Sequence, residues 1–331
     1  SAFLRAKAEG LDLPGDVVLA VLSDEEAGGE YGARYLVENH AEPFEGIRYA
    51  IGEGGGFTLR MAGRRFYTIM VAEKRICSMK VTVHGRAGHG SMPIRGGAMA
   101  KLANVLHKLD RKRLPVHITP VVRQMLETIG KALPFPRGLV LRQLLNPALT
   151  DRILDLLGEK GTLINPLLHN TVSPTIVRGG EKINVHPGEI TLQLDGRLLP
   201  GFTPDDMLRE LRQFLGDDVE VEVTRYGLGL SDPDVGLFDT LADVLREADP
   251  EGIPVPLLVS GATDARFFSQ LGIQTYGFVP VDLPDGLVST VHAADERIPV
   301  EAVQFGTNAI YAVLQRFGNG LLVAEVPKWQ N

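Results

Sequence analysis

The chain has 331 residues, 44% hydrophobic and 23% charged, with a formal net charge of −7. That length fits two domains better than one minimal core, and the composition is ordinary for a globular protein. The negative balance excludes a global field for nucleic acid, and no apolar run reaches the length of a membrane span. A single cysteine, Cys77, excludes an internal disulfide framework and fits a reducing compartment such as the cytoplasm.

Taken in chain order, the first apolar segment is Val17 to Leu22, predicted as a strand that runs into Ser23-Asp24-Glu25-Glu26. Asp24 to Glu26 precede a predicted helix from about Glu30. A second strand, Tyr49 to Gly52, runs into Glu53 and a run of glycines. Continuous apolar runs of this kind suit strands covered on both faces in a parallel sheet. The pattern then changes. Met79 to His84, Ile190 to Asp195 and Val219 to Val223 alternate with period two, as strands with one wet face do. Cys77 falls at the start of the first of these and reads as a small packed residue rather than a nucleophile. Helices are predicted over Ala98 to Leu109 and Pro204 to Leu215. Arg111-Lys112-Arg113 reads as a solvated helix end.

The middle order, strand-helix-strand-strand-helix-strand, is that of a ferredoxin-like α+β unit, interrupted at about 116–170 by Leu- and Pro-rich helical sequence. Beyond it, Leu237, Leu241, Val244 and Leu245 form one helical stripe, and Ile310, Val313, Leu314 and Phe317 another, with Glu301 near that helix's start. Strands at Pro256 to Val259 and Thr275 to Val279 lie between the two stripes. The expected fold is therefore an α/β domain with a mostly parallel sheet, built from 1–72 and 233–331. A ferredoxin-like lid, 73–232, is inserted with hinges near Ala72-Glu73 and Gly229 to Asp232.

Ligands of open parallel sheets bind beyond the carboxyl ends of the strands. Asp24, Glu25, Glu26 and Glu53 fall there, and carboxylates that converge repel one another unless protonated or bound to cations. Acids before a helix also suit its dipole, so the Asp24 to Glu26 cluster has a purely structural reading as well. The glycines around Glu53 lack the Lys-Ser/Thr of a phosphate loop, which counts against a nucleotide site. His292 lies in a loop between the last strand and the last helix. Two strand-end carboxylates and that histidine would make a mixed oxygen/nitrogen zinc site.

Five segments in order carry a resemblance. They are Ser23-Asp24-Glu25-Glu26-Ala27-Gly28-Gly29, Gly85-Arg86-Ala87-Gly88-His89-Gly90-Ser91-Met92-Pro93, Lys182-Ile183-Asn184-Val185-His186-Pro187, Asp195-Gly196-Arg197-Leu198-Leu199-Pro200 and Gly261-Ala262-Thr263-Asp264-Ala265-Arg266. Together they resemble the aminoacylase/carboxypeptidase-type (M20) di-zinc metallopeptidases. The resemblance implies a hydrolase that cleaves an amide bond beside a free carboxylate, in N-acyl amino acids, dipeptides or C-terminal residues. It implies Glu25 as general base, Glu26 and His292 on one zinc and Glu53 on the other, with cobalt or manganese as substitutes. It further implies His89 at the scissile carbonyl, Asn184 and Arg266 on the substrate, and a homodimer formed through the lid. The enlarged insert is more similar to the carboxypeptidase and N-acyl-amino-acid hydrolase branch than to compact deacetylases.

The family's early His-x-Asp motif and its later bridging aspartate have no counterpart here. None of the eight histidines is followed two residues later by Asp. The segment that would carry them is expected to be missing from the N-terminal side, leaving Glu26 with His292 as two donors and Glu53 as one. Zinc sites usually take three or four. The chain as written is accordingly expected to bind metal poorly and to be inactive or nearly so. The alternative is a non-catalytic form that binds carboxylate ligands or dimerises.

Overall fold

The computed structural model describes residues 1–318, apart from 14, 217, 228, 230, 231, 285, 288 and 289. The expected hinge positions Leu230 and Ser231, and the 319–331 end of the first domain, lie outside the described residues.

In chain order the elements are α1 (Ala2–Ala8), α2 (Ala33–Asn39), β1 (Tyr49–Gly52), β2 (Thr58–Met61), β3 (Arg64–Glu73), β4 (Arg75–His84) and β5 (Gly88–His89). The helices α3 (Ala98–Arg111), α4 (Pro120–Ala132), α5 (Arg137–Gln143), α6 (Pro147–Leu157) and α7 (Glu159–Leu168) follow. Next are β6 (Thr171–Arg178), β7 (Val185–His186), β8 (Glu189–Leu198), α8 (Pro204–Leu215) and β9 (Glu220–Tyr226). The chain continues through α9 (Phe238–Ala248), β10 (Gly252–Val259), α10 (Ala265–Phe268), β11 (Gln274–Gly277) and α11 (Val300–Gly318). Among the described residues no helix is long and apolar enough to cross a membrane.

The first sheet runs β1-β11-β3-β10, with β2 paired to β3. β1 with β11 and β3 with β10 are parallel ladders, which makes the fold the mixed α/β type with a mainly parallel sheet. β3 is buried without a break from Phe66 to Ala72, as a strand covered on both faces must be. β10 carries Pro254 and Pro256, which donate nothing to a ladder, and it occupies the sheet's edge, where that is tolerated.

The second sheet, in the order β6-β8-β4-β9, is antiparallel throughout. Alternation is the reason. Cys77, Met79, Val81 and Val83 of β4 and Ile190, Leu192 and Leu194 of β8 all point to one face. There they meet Leu102 and Val105 of α3 and Met207, Leu211 and Leu215 of α8 in a separate core. Burial pushes the Cys77 thiol up to about 11, so it is a packed group and not a thiolate. α8 starts where Thr203 and Asp206 exchange capping bonds ahead of Pro204.

Two expectations change. Val17 to Leu22 forms no strand, and Val18, Leu19 and Val21 are 43%, 64% and 85% exposed. An apolar run becomes a strand only where a neighbour offers N–H and C=O groups, and no ladder reaches this one among the described residues. The helical insert also packs where the sequence does not place it. α4 lies against β10 and β3, and Val122, Met125, Leu126 and Ile129 share a core with Val255, Leu258 and Tyr276 of the α/β sheet.

Candidate active site

The turn after Leu22 is held by Asp24, whose backbone is left-handed with φ of 53°. Its carbonyl accepts the Gly29 N–H at 2.7 Å and its Oδ2 accepts the Tyr31 N–H at 3.0 Å. Asp24 therefore has the structural role, while the side chains of Glu25 and Glu26, in the short turn Glu25–Ala27, hold no backbone N–H among the described residues. The predicted helix begins at Ala33, three residues later than expected.

Glu53 leaves the end of β1 into the glycine run. Those glycines serve close backbone passage and not phosphate. The chain slips between β11 and β3, where Val279 N–H donates to Gly55 O at 2.8 Å and Phe278 N–H donates to Gly52 O at 2.8 Å. At Gly56, with φ of 95°, a Cβ would collide with the Val279 backbone.

Further carboxylates share the crevice. Loss of hydration raises Glu53, and Glu25, Asp264, Glu26 and Glu73 add to it. Burial, then the charge of Glu25, pushes Asp264 up to about 6, against the opposing pull of Arg266. Burial raises Glu73 too, although bonds from Thr263 work the other way. Asp264 and Glu73 were not singled out from the sequence. Asp264 stands two residues before Arg266 in the segment Gly261 to Arg266, and a carboxylate so close to that arginine is a signal in the sequence. Glu73 closes a buried strand and offered none.

Arg266 donates from Nη2 to Gly28 O at 2.8 Å, and its guanidinium lies 4.6 Å from the Phe267 ring centre. It thus joins the loop after β10 to the turn that carries Glu25 and Glu26. Gly29 makes that approach possible. Its φ is 67°, and a Cβ there would strike Asp264 Oδ1 and the Phe267 ring.

His292 has φ of 63°, and its N–H is held by Glu296 Oε2 at 3.1 Å. Its Nδ1 lies 3.7 Å from Glu26 Oε1, with the two side chains 70% and 76% exposed. The structure thus brings Glu26 and His292 together. Among the described residues, however, no three His, Cys, Asp or Glu side chains converge as a metal would require. The donor set present does not by itself fit a closed zinc site.

His89 and Asn184 meet in a different place. β5 and β7 form a two-stranded ribbon that sets His89 opposite Val185, and Gly90 N–H donates to Asn184 O at 2.7 Å. His89 Nδ1 lies 2.7 Å from Ser91 Oγ, and both His89 and Asn184 are exposed. The ribbon brings these two residues together on the lid side, apart from the carboxylate turn in its hydrogen bonding.

An α/β sheet with an inserted antiparallel lid and an acidic crevice defines a class, and comparison with known proteins narrows it. A family model described as a peptidase dimerisation domain matches residues 71–222. The human N-fatty-acyl-amino acid synthase/hydrolase PM20D1 is 26% identical over 75% of this chain and 50% of its own length. The probable carboxypeptidase S-like 2 of Dictyostelium discoideum is 25% identical over 89% of this chain and 58% of its own. The chain thus spans between half and three fifths of these two relatives. The M20 family metallo-carboxypeptidase Sso-CP2 of Sulfolobus solfataricus has the same fold, with a TM-score of 0.53 at 15% identity, covering 89% of this chain and 69% of that one. Taken together, the dimerisation-domain match, the two relatives and the shared fold support a peptidase of the M20 family.

Proposed function

We propose that this protein hydrolyses an amide bond beside a free carboxylate, in N-acyl amino acids, dipeptides or peptide C-termini. The observation that carries the reading is Arg266 fixed at 2.8 Å to the Gly28 carbonyl, on the turn that bears Glu25. A planar guanidinium there takes a substrate carboxylate, while Glu25 accepts a proton from the attacking water. The relatives are named for N-fatty-acyl amino acids and for a carboxypeptidase, and both substrate types present a free carboxylate. His89, with Asn184 beside it, would reach the scissile carbonyl when the lid closes. The peptidase dimerisation match supports a homodimer through the lid.

Two zinc ions, or cobalt or manganese, are what the resemblance implies, held by Glu26 with His292 and by Glu53. Those are two donors and one, against the usual three or more. This shortfall favours a second reading, in which the chain by itself binds carboxylate ligands or dimerises without turnover. Equilibrium dialysis and elemental analysis separate the two. Two tightly held zincs per chain support the hydrolase reading for this polypeptide. Zero or one weakly held zinc, the expected result, supports the second. In either case Arg266→Ala is expected to raise the Kd for an N-acyl amino acid by roughly tenfold or more in calorimetric titration.

A further inference from the structure

Lys74 is the single residue between β3 and β4, where the chain passes from the α/β sheet to the lid. It is 1% exposed. Its Nζ donates to His169 O at 2.8 Å and to Thr171 Oγ1 at 2.9 Å. His169 closes the neck of the helical insert by pairing with Val116, and Thr171 opens β6 of the lid. The backbone N–H of Lys74 donates the other way, to Val259 O at the end of β10, at 2.9 Å.

Its neighbour Glu73 faces the α/β side, as alternation along an extended chain requires. Glu73 Oε1 accepts the Thr263 N–H at 3.1 Å and the Thr263 hydroxyl at 2.5 Å. Thr263 Oγ1 in turn accepts the Ala265 N–H at 3.1 Å, which starts the short helix carrying Arg266. Arg266 then holds Gly28 O. An unbroken set of bonds therefore runs from β6, through Lys74 and Glu73, to the turn bearing Glu25 and Glu26.

We propose that Glu73 and Lys74 are positioning residues that couple the place of the lid strand β6 to the loop of Arg266 and the Glu25 turn. The physical reason is that a buried amino group, charged or neutral, leaves its N–H donors unsatisfied if it parts from its acceptors, so a displacement of β6 takes Lys74 with it. The next peptide is planar and of fixed length, so Glu73 shifts against Thr263 as well. A cavity of about 50 Å³ at this crossing, lined by Glu73, Lys74, Arg266 and Thr275 among others, leaves room for that shift, which dense packing would resist. The consequence for catalysis rests on the roles proposed above for Glu25 and Arg266. The coupling itself does not.

Hydrogen exchange read by mass spectrometry tests it without metal or turnover. Lys74→Met removes only the side-chain bonds to the lid side. It is expected to speed exchange in 260–267 and 24–29 on the α/β side, on the order of tenfold. Glu73→Gln should accelerate the same two segments, the double variant no more than either single one, and Lys74→Arg should restore slow exchange. Val81→Ala, in the lid core, serves as a control compared at matched loss of thermal midpoint. If Lys74→Met accelerates only 169–178, or Val81→Ala accelerates 260–267 and 24–29 equally, the coupling does not exist.

Discussion

Asparagine in place of Asp264 is expected to raise the thermal midpoint of the metal-free protein at pH 7.5. Asp264 is 8% exposed, and its Oδ1 has no hydrogen-bond partner. Its folded-state pKa stands at about 6, above the ordinary 3.8. A carboxyl raised in this way contributes stability that is fully present below about pH 3.8 and is lost as pH rises through 6. At pH 7.5 the ionised form is therefore a burden, of about 1–3 kcal/mol for a rise of this size. The neutral amide removes it. The gain should shrink steadily toward pH 4, where the wild-type carboxyl is itself largely protonated. Thermal unfolding with chelator at pH 4, 5.5 and 7.5 gives the comparison. A loss of stability at pH 7.5 would mean that the ionised form of Asp264 has a favourable partner strong enough to outweigh its burial.

Leu126→Ala is expected to change stability in the other direction, and by more. Leu126 is 2% exposed on α4 and packs in the same core as Val255, Leu258 and Tyr276 of the α/β sheet. Truncation of a leucine in such a place costs about 2–5 kcal/mol, from lost transfer energy and the cavity left behind. Urea unfolding should show that loss in the transition of the α/β sheet, although α4 belongs to a segment inserted through the lid. Leu156→Ala, on an α6 leucine that is 82% exposed, should change stability by less than about 0.5 kcal/mol. Equal small effects at both positions would make the insert an appendage rather than a cover of the sheet.

Much of the architecture follows from local rules. Pro256 to Val259 is a strand because continuous apolar residues suit a sheet covered by helices, and Tyr49 to Gly52 is one too, although at the sheet's edge Ile51 stays 38% exposed. Met79 to His84 and Ile190 to Asp195 are strands of the other kind because they alternate. Helix starts were equally local. Thr119-Pro120, Asn146-Pro147 and Thr203-Pro204 each place a capping oxygen ahead of a proline at the first turn. Glu25, Glu26, His89, Asn184 and Arg266 could be named from motif order, since each lies within one of five short segments, whereas Glu53 and His292 could be named from their places after predicted strands.

What the sequence by itself determined is therefore whatever depends on neighbours a few residues apart: most element types, caps, the two sheet classes, and the segments proposed to carry the chemistry. Only the tertiary structure decided the rest. It left Val17 to Leu22 without a ladder, because strand formation depends on a partner and not on the run itself. It laid α4 on the α/β sheet, because an apolar helix face does not specify which apolar surface it meets. It used the glycines around Glu53 for close passage between strands. It also brought Asp264 and Glu73 among the other acids, an electrostatic fact that exists only once residues some two hundred positions apart share one crevice.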